Sequence, residues 1–128
     1  MRQAATLILA GFAGFALGAG LIEGLHAQAN NPTPAYVVAE VEVTDPPAYA
    51  AYLKSAIESL APYRARVVAR GKPDVKEGAP PQGNIVMVAF DSVADAEKWY
   101  STPPYKDLIA ERQKSAKTRL YIVEGVPQ

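Results

Sequence analysis

The side chains of this chain that could do chemistry are carboxylates, tyrosines, lysines and arginines, because the sequence has no cysteine and a single histidine, His26. His26 lies in a leader that we expect to be removed, as described below. The remaining chain would then lack the residues for a Ser-His-Asp triad, a Cys-His pair or an ordinary zinc site. We therefore expect no metal and no cofactor, and the sequence leaves any catalytic residue unknown.

Two carboxylates could act as a base. Glu40 and Glu42 lie two residues apart in an alternating, valine-rich run, so both side chains point to the same face of a predicted strand. Such a carboxylate could be a general base, particularly if burial raised its pKa. The simpler interpretation is that they pair with Arg119 on an adjacent strand, because opposite charges are common across strands. We favour this pairing.

Two arginines, Arg70 and Arg119, could hold an anion with their forked donors, although structural ion pairs are the more frequent use of such side chains. If a ligand binds, we expect it to be small, apolar or aromatic in body and anionic at one end. Arg70 and Arg119 would contact the anion, and Tyr36 and Tyr121 would line the cavity on the face that also carries Glu40. Arg70 is the weaker part of this hypothesis, because its strand lies farther across the sheet.

A group of aromatic residues recurs at helical spacing. They could line a pocket, but aromatic residues at this spacing more often belong to a core or to a dimer contact, and we favour the core. These residues are Tyr49, Tyr52, Trp99, Tyr100 and Tyr105.

The elements that must position these side chains follow from periodicity and from helix-start signals. Alternating or β-branched runs predict strands at 35–43, 66–70, 85–90 and 119–124. Asp45 before Pro46 predicts a helix over about 46–60, and Ser92 with Asp95 predicts the cap of a second helix, broken by prolines at 103 and 104.

The order of elements, β-α-β-β-α-β, predicts an α+β ferredoxin-like fold. Right-handed crossovers place both helices on one face of a four-stranded antiparallel sheet. The opposite face would carry Val38, Tyr121, Val123 and half of the apolar run 85–90. An apolar face of this size is rarely left in water, so we expect a homodimer that stacks two sheets, a dimeric α/β barrel.

The first 29 residues predict a signal peptide: a short basic start, an uncharged run over 4–22 and the small-residue site Ala27-Gln28-Ala29. Residues 30–34 form a polar, proline-broken linker, and residues 35–126 the domain. We expect cleavage after Ala29 and an exported, periplasmic or secreted protein. The alternative is a membrane anchor over 4–22, a run close to bilayer length. Contact with a membrane is expected only if the leader is retained.

The charge balance argues against one class of partner. The chain has 13 basic and 13 acidic residues, for a net charge of zero. Without a basic surface there is no general attraction to a phosphate backbone, so we expect no binding of nucleic acid.

The runs AYVVAEVEVTDPPAYAAYL, RVVARGKPDVKEG and IVMVAFDSVADAEKWY, with the chain up to residue 125, resemble the DUF1330 family. The resemblance implies a ferredoxin-like, dimeric α/β-barrel fold, related to cofactor-independent antibiotic-biosynthesis-type monooxygenases. It leaves two classes of function: a small-molecule binding or interaction module, which we favour, and a cofactor-independent monooxygenase-like or isomerase-like enzyme that uses a buried carboxylate or tyrosine. Its most specific positions are Asp45-Pro46 with Tyr49, Arg70-Gly71 with Glu77-Gly78, and Phe90 followed by Trp99-Tyr100-Ser101 and Tyr105.

Overall fold

A computed structural model of the protein describes residues 33–128. The predicted signal peptide 1–29 with its cleavage after Ala29, the alternative anchor 4–22, and most of the linker 30–34 lie outside the described residues. Within the described part of the chain, no helix combines the length and the apolar character that crossing a bilayer requires.

The elements follow the predicted order, with shifted ends. The first helix ends at Glu58, and the last strand begins at Ala116, three residues earlier than predicted. A short 3-10 turn, Ala61–Tyr63, follows the first helix. The strands are β1 (Ala35–Val43), β2 (Arg66–Gly71), β3 (Asn84–Phe90) and β4 (Ala116–Glu124), and the helices are α1 (Pro46–Glu58), α2 (Val93–Ser101) and α3 (Pro103–Ser115).

Side-chain caps explain where two of the helices start. The Asp45 carboxylate accepts a hydrogen bond from the Ala48 N–H at 3.2 Å, and the Ser92 hydroxyl accepts one from the Asp95 N–H at 3.1 Å. Both are the predicted N-caps, which satisfy N–H groups that have no partner within the helix. Thr102, directly before Pro103, has extended backbone and separates α2 from α3.

The four strands form one antiparallel sheet in the order β2-β3-β1-β4. This is the ferredoxin-like arrangement that the sequence predicts, and the α+β fold class is confirmed. The helices cover one face, which we call the helix face, where Val37, Val88 and Phe90 pack against α1, α2 and α3. The other face, which we call the open face, is not covered by any element among residues 33–128, and Val123 there is 50% exposed.

A β-bulge interrupts the pairing of β2 with β3. Arg66 lies opposite Ala89 and Val67 opposite Val88, but the register shifts before Ala69, so that Arg70 lies opposite Val86. The extra residue reverses the alternation of side chains along β2. Arg66 is therefore on the open face, and Arg70 is on the helix face.

The connection from β2 to β3 is a long loop that ends tightly against β1. Gly83 has φ +76°, and a Cβ at this position would collide with the backbone carbonyl of Val41. Only glycine fits both the left-handed backbone and this close approach. The loop end is thus fixed against β1, where the Gln82 N–H reaches the Glu40 carboxylate.

Candidate functional site

Three of the predicted site residues come together on the open face. Glu40 lies opposite Arg119 across β1 and β4, and Val38 lies opposite Tyr121. The Glu40 carboxylate accepts hydrogen bonds from Arg119 Nη2 and from the Tyr121 hydroxyl, both at 2.8 Å. The Gln82 backbone N–H donates a third bond at 3.0 Å. The predicted pairing of Glu40 with Arg119 is confirmed.

This cluster has the properties of a structural contact. The hydrogen bond from Tyr121 and the Gln82 N–H hold the pKa of Glu40 below its usual range, against the opposing effect of burial. Its oxygens are occupied by three donors, and Arg119 is committed to it. Such a carboxylate is poorly suited to the role of general base near neutral pH.

The other predicted residues are placed differently. Tyr36 lies on the open face opposite Val123. Arg70 does not reach this cluster, because the bulge turns it to the helix face. Glu42 shares the side of Glu40, and its carboxylate accepts a bond from Gln82 Nε2 at 3.2 Å. The structure therefore gathers the predicted residues of β1 and β4 and separates Arg70 from them.

A second polar cluster, which we call the interior cluster, lies between the helices and the sheet. The Tyr52 and Tyr105 hydroxyls are 2.8 Å apart, and Arg112 Nη1 donates to the Tyr105 hydroxyl at 2.9 Å. Tyr105 is 1% exposed and Arg112 is 6% exposed. Among residues 33–128, Arg112 forms no ion pair with a carboxylate. A buried guanidinium without a counter-charge is costly, and proteins seldom retain one without a use.

The interior cluster borders a cavity of ≈ 50 Å³. A single water needs about 10–15 Å³ by this measure, so the space exceeds one water. Two buried polar atoms in the described part of the chain have no hydrogen-bond partner, Arg112 Nε and Thr118 Oγ1. Both residues line this same cavity. The cavity thus offers an unused donor and an unused hydroxyl next to a positive charge.

The protonation states of Arg112 and Tyr105 make them hydrogen-bond donors and not bases. Burial, reinforced by neighbouring Tyr52, raises the pKa of Tyr105 far above its usual range. Burial lowers the pKa of Arg112, but the phenol oxygens of Tyr105 and Tyr52 more than offset this, so the net shift is upward. At neutral pH the Arg112 guanidinium is therefore charged and the Tyr105 phenol is protonated.

Aromatic rings complete the walls of the cavity. The ring centroids of Trp99 and Tyr105 are 3.9 Å apart, and Trp99 Nε1 donates to the Ser59 hydroxyl at 2.9 Å. The predicted aromatic group is both core and lining: Tyr49, Tyr52, Trp99 and Tyr105 face the cavity, while Tyr100 packs behind it.

A cleft of ≈ 430 Å³ adjoins this cavity at the end of the sheet. Arg70, Gly71 and Pro46 form part of its rim. The two spaces have four lining residues in common, Val41, Tyr49, Leu53 and Val86. The cavity and the cleft are therefore neighbours between the helices and the sheet, and we call the two together the channel.

Sequence reasoning did not assign Arg112 and Thr118 to a site. The signal for Arg112 was present, because this arginine continues the helical stripe of Tyr105, Leu108 and Ile109, where an apolar residue belongs. The sequence contains no comparable signal for Thr118, since threonine is common in strands. Within residues 33–128, no group of His, Cys, Asp or Glu side chains could hold a metal ion.

Comparison with known proteins supports the fold. The sequence model of one family, described as a domain of unknown function (DUF1330), matches residues 34–126. No curated protein matches the sequence.

Similar solved structures come from several organisms. A protein of unknown function from Rhodopseudomonas palustris, RPA0582, is 19% identical, with TM-score 0.61 over 83% of this chain and 94% of that chain. SnoaB, a cofactor-independent oxygenase from Streptomyces nogalater, is 7% identical, with TM-score 0.56 over 75% of this chain and 96% of that chain. A conserved protein from Methanosarcina mazei Go1 is 14% identical, with TM-score 0.51 over 79% of this chain and 99% of that chain. At these identities the likeness concerns the fold alone.

Proposed function

The chain belongs to the DUF1330 family, and we propose that its domain binds a small organic anion in the cavity beside Arg112. The Arg112 guanidinium would hold the acidic group, with the Thr118 hydroxyl as a further contact. The apolar body would lie against the aromatic and aliphatic walls. This places the ligand on the helix face, and not on the open face where the sequence predicts it.

One observation carries this proposal. The two buried polar atoms without partners among residues 33–128, Arg112 Nε and Thr118 Oγ1, belong to residues lining one cavity. Buried polar atoms in folded proteins nearly always have partners, so an orphaned pair at one void points to an occupant. A carboxylate supplies both acceptor oxygens and the missing negative charge.

Binding is a better fit than catalysis. A general base works best with a pKa near the working pH. The pKa of Tyr105 is shifted upward and that of Glu40 downward, so each moves away from neutrality. No Asp or Glu of the described residues lines the cavity. The alternative of a cofactor-independent enzyme, suggested by the fold of SnoaB, therefore has no tuned base to support it.

We also propose that the domain works as a homodimer stacked through the open face. Tyr121 and Val123 are 45% and 50% exposed there, beside the half-buried Val38, Ile85 and Met87. A second copy is the economical cover for such a face, because the same patch on both subunits is self-complementary.

Export is proposed on the sequence alone, from the basic start, the uncharged run 4–22 and the small-residue site that ends at Ala29. Intact mass of the mature protein tests it. A chain that begins at Asn30 supports cleavage, whereas a full-length chain in the membrane fraction supports the anchor and contradicts export.

The binding proposal is tested by calorimetric titration with hexanoate, a carboxylate with an apolar tail. Arg112→Gln should weaken binding by about 1.5–3 kcal/mol, because a charge-assisted hydrogen bond is lost. Thr118→Val, which keeps the side-chain shape, provides a second and milder variant. Arg64→Gln removes the same charge at a solvent-exposed site and is the control. Equal binding by all four proteins would contradict the proposal.

A further inference from the structure

We propose, building on the binding site at Arg112, that the ligand carries two acidic groups joined by an apolar spacer, and that Arg70 binds the second group. Arg70, an exposed residue of β2, is one of the residues that line the cleft adjoining the interior cavity. The ligand class is therefore a dianion of the dicarboxylate type, held at its inner end by Arg112 and at its outer end by Arg70.

The charges of the channel carry this inference. Its two parts are lined by two arginines, Arg112 inside and Arg70 at the rim, and by no Asp or Glu among the described residues. Arg70, like Arg112, forms no ion pair within residues 33–128. An apolar channel with two positive charges and no negative one is electrostatically complementary to a molecule with two negative charges.

The two arginines act on a common space. Tyr49 lies in the shared wall of cavity and cleft. Burial, and next Tyr52, raises the pKa of the Tyr49 hydroxyl, while the positive charges of both Arg70 and Arg112 act on it in the opposite direction. Tyr49 thus lies within the electrostatic influence of both guanidinium groups.

The dimensions suit a short spacer. Arg70 is on β2 and Thr118 is on β4, three inter-strand spacings away, or about 14 Å between backbones. Arg112 lines the same cavity as Thr118, so this backbone separation sets the scale of the distance that the ligand must span. The interior cavity admits little more than an acidic group, whereas the ≈ 430 Å³ cleft has room for the rest of the molecule.

The wall between the two arginines is apolar, which defines the spacer. Val41, Leu53 and Val86 line both spaces. A hydroxylated or amide-rich spacer would have to give up its hydrogen bonds to water there without replacement, which is unfavourable. A methylene chain or an aromatic ring has no hydrogen bonds to water to give up. Sugars and short peptides are thus disfavoured relative to aliphatic or aromatic diacids.

The test is calorimetric titration of the full chain with adipate and with hexanoate, which have equal numbers of carbons but two acidic groups and one. Wild type should prefer adipate by about tenfold or more. Arg70→Gln should abolish this preference, so that adipate and hexanoate bind with similar affinity. Arg66→Gln is the matched control, because Arg66 is on the same strand but faces the other side of the sheet.

The outcomes separate the two proposals. Equal affinity of wild type for both acids, or an adipate preference that survives in Arg70→Gln, would overturn the role of Arg70 and leave the Arg112 site standing. Failure of both acids to bind would overturn the site itself, and the dianion with it. Thermal melting of each variant by circular dichroism identifies any loss of binding that comes from unfolding.

Discussion

At the scale of single residues, Glu40 shows how a carboxylate that could be a general base can instead be held in an ion pair and hydrogen bonds. Alternation along β1 placed it on the open face and predicted Arg119 as its partner, and the structure has that pair. Alternation also placed Tyr121 on the face of Glu40, but the contact from the Gln82 N–H was not predictable, because it depends on the path of the loop after β2. Those contacts decide its protonation and so its role.

The downward shift of the Glu40 pKa makes a prediction about acid stability. A carboxylate whose folded-state pKa lies below its unfolded value stabilises the protein fully above the unfolded value, and this contribution is lost as the pH falls through the folded value. The difference in free energy of unfolding between wild type and Glu40→Gln should therefore be constant above about pH 5.5 and shrink in more acidic solution.

Urea denaturation across a pH series measures this difference. Glu124→Gln, an exposed change of the same charge at the end of β4, serves as a control for net charge. A difference that grows on acidification would show that Glu40 is stabilising in its protonated form and would contradict the assignment.

Thr118 supports a second prediction at this scale. Its hydroxyl is buried and has no hydrogen-bond partner among residues 33–128, and valine has the same shape and a higher preference for strands. Thr118→Val should raise the free energy of unfolding of the ligand-free protein by about 1 kcal/mol, because an unsatisfied polar atom is removed. The same change should weaken binding of hexanoate. Urea denaturation without ligand measures the first effect, and a loss of stability instead would reveal a partner for the hydroxyl.

At the scale of elements, the bulge in β2 is the feature that periodicity could not show. Strict alternation puts Arg66 and Arg70 on one face, whereas one extra residue near Val68 puts them on opposite faces. A bulge in a short, basic strand leaves no sequence signature of its own. The predicted strands and caps were close to those observed, but the site depended on this local irregularity.

The loop before β3 provides a matched pair of glycines. Gly78 and Gly83 have nearly equal φ angles, +78° and +76°, but a Cβ would meet open space at Gly78 and the Val41 carbonyl at Gly83. Gly78→Ala should cost about 1 kcal/mol, from the left-handed backbone alone. Gly83→Ala should cost about 1–3 kcal/mol more, because the chain must move off β1.

Thermal and urea unfolding of both variants measure these costs. The difference between them isolates the close approach of the loop to β1, since the backbone strain is common to both. Equal destabilisation would mean that the loop moves away from β1 at little cost and that Gly83 does not fix it.

At the scale of the whole molecule, the order of strands followed from the order of elements, because handed crossovers leave few arrangements for β-α-β-β-α-β. What covers the open face does not follow from the chain alone. Val38 lies at its centre, opposite Met87 on one side and Tyr121 on the other. The proposed dimer requires this centre to be buried by the second copy.

The oligomeric state is therefore sensitive to charge at Val38. Wild type should be dimeric at micromolar concentration, and Val38→Lys should be monomeric, because a charge buried in an apolar interface is costly. Val126→Lys is the control, since Val126 is 72% exposed and lies beyond β4. Sedimentation equilibrium measures the mass. A monomeric wild type, or a Val38→Lys variant that stays dimeric, would contradict stacking through this face.

Trp99 provides an intrinsic fluorescence probe of the interior cavity. It is the sole tryptophan of the chain, and its indole is part of the wall of the interior cavity, stacked near Tyr105. Indole emission responds in colour and intensity to nearby charge and polarity, so filling or emptying the cavity should change the fluorescence of the whole protein. Protein freshly purified from its source can thus be compared with the same protein after unfolding, dialysis and refolding. A difference in emission spectrum would reveal a molecule that the protein had carried with it, before that molecule is identified.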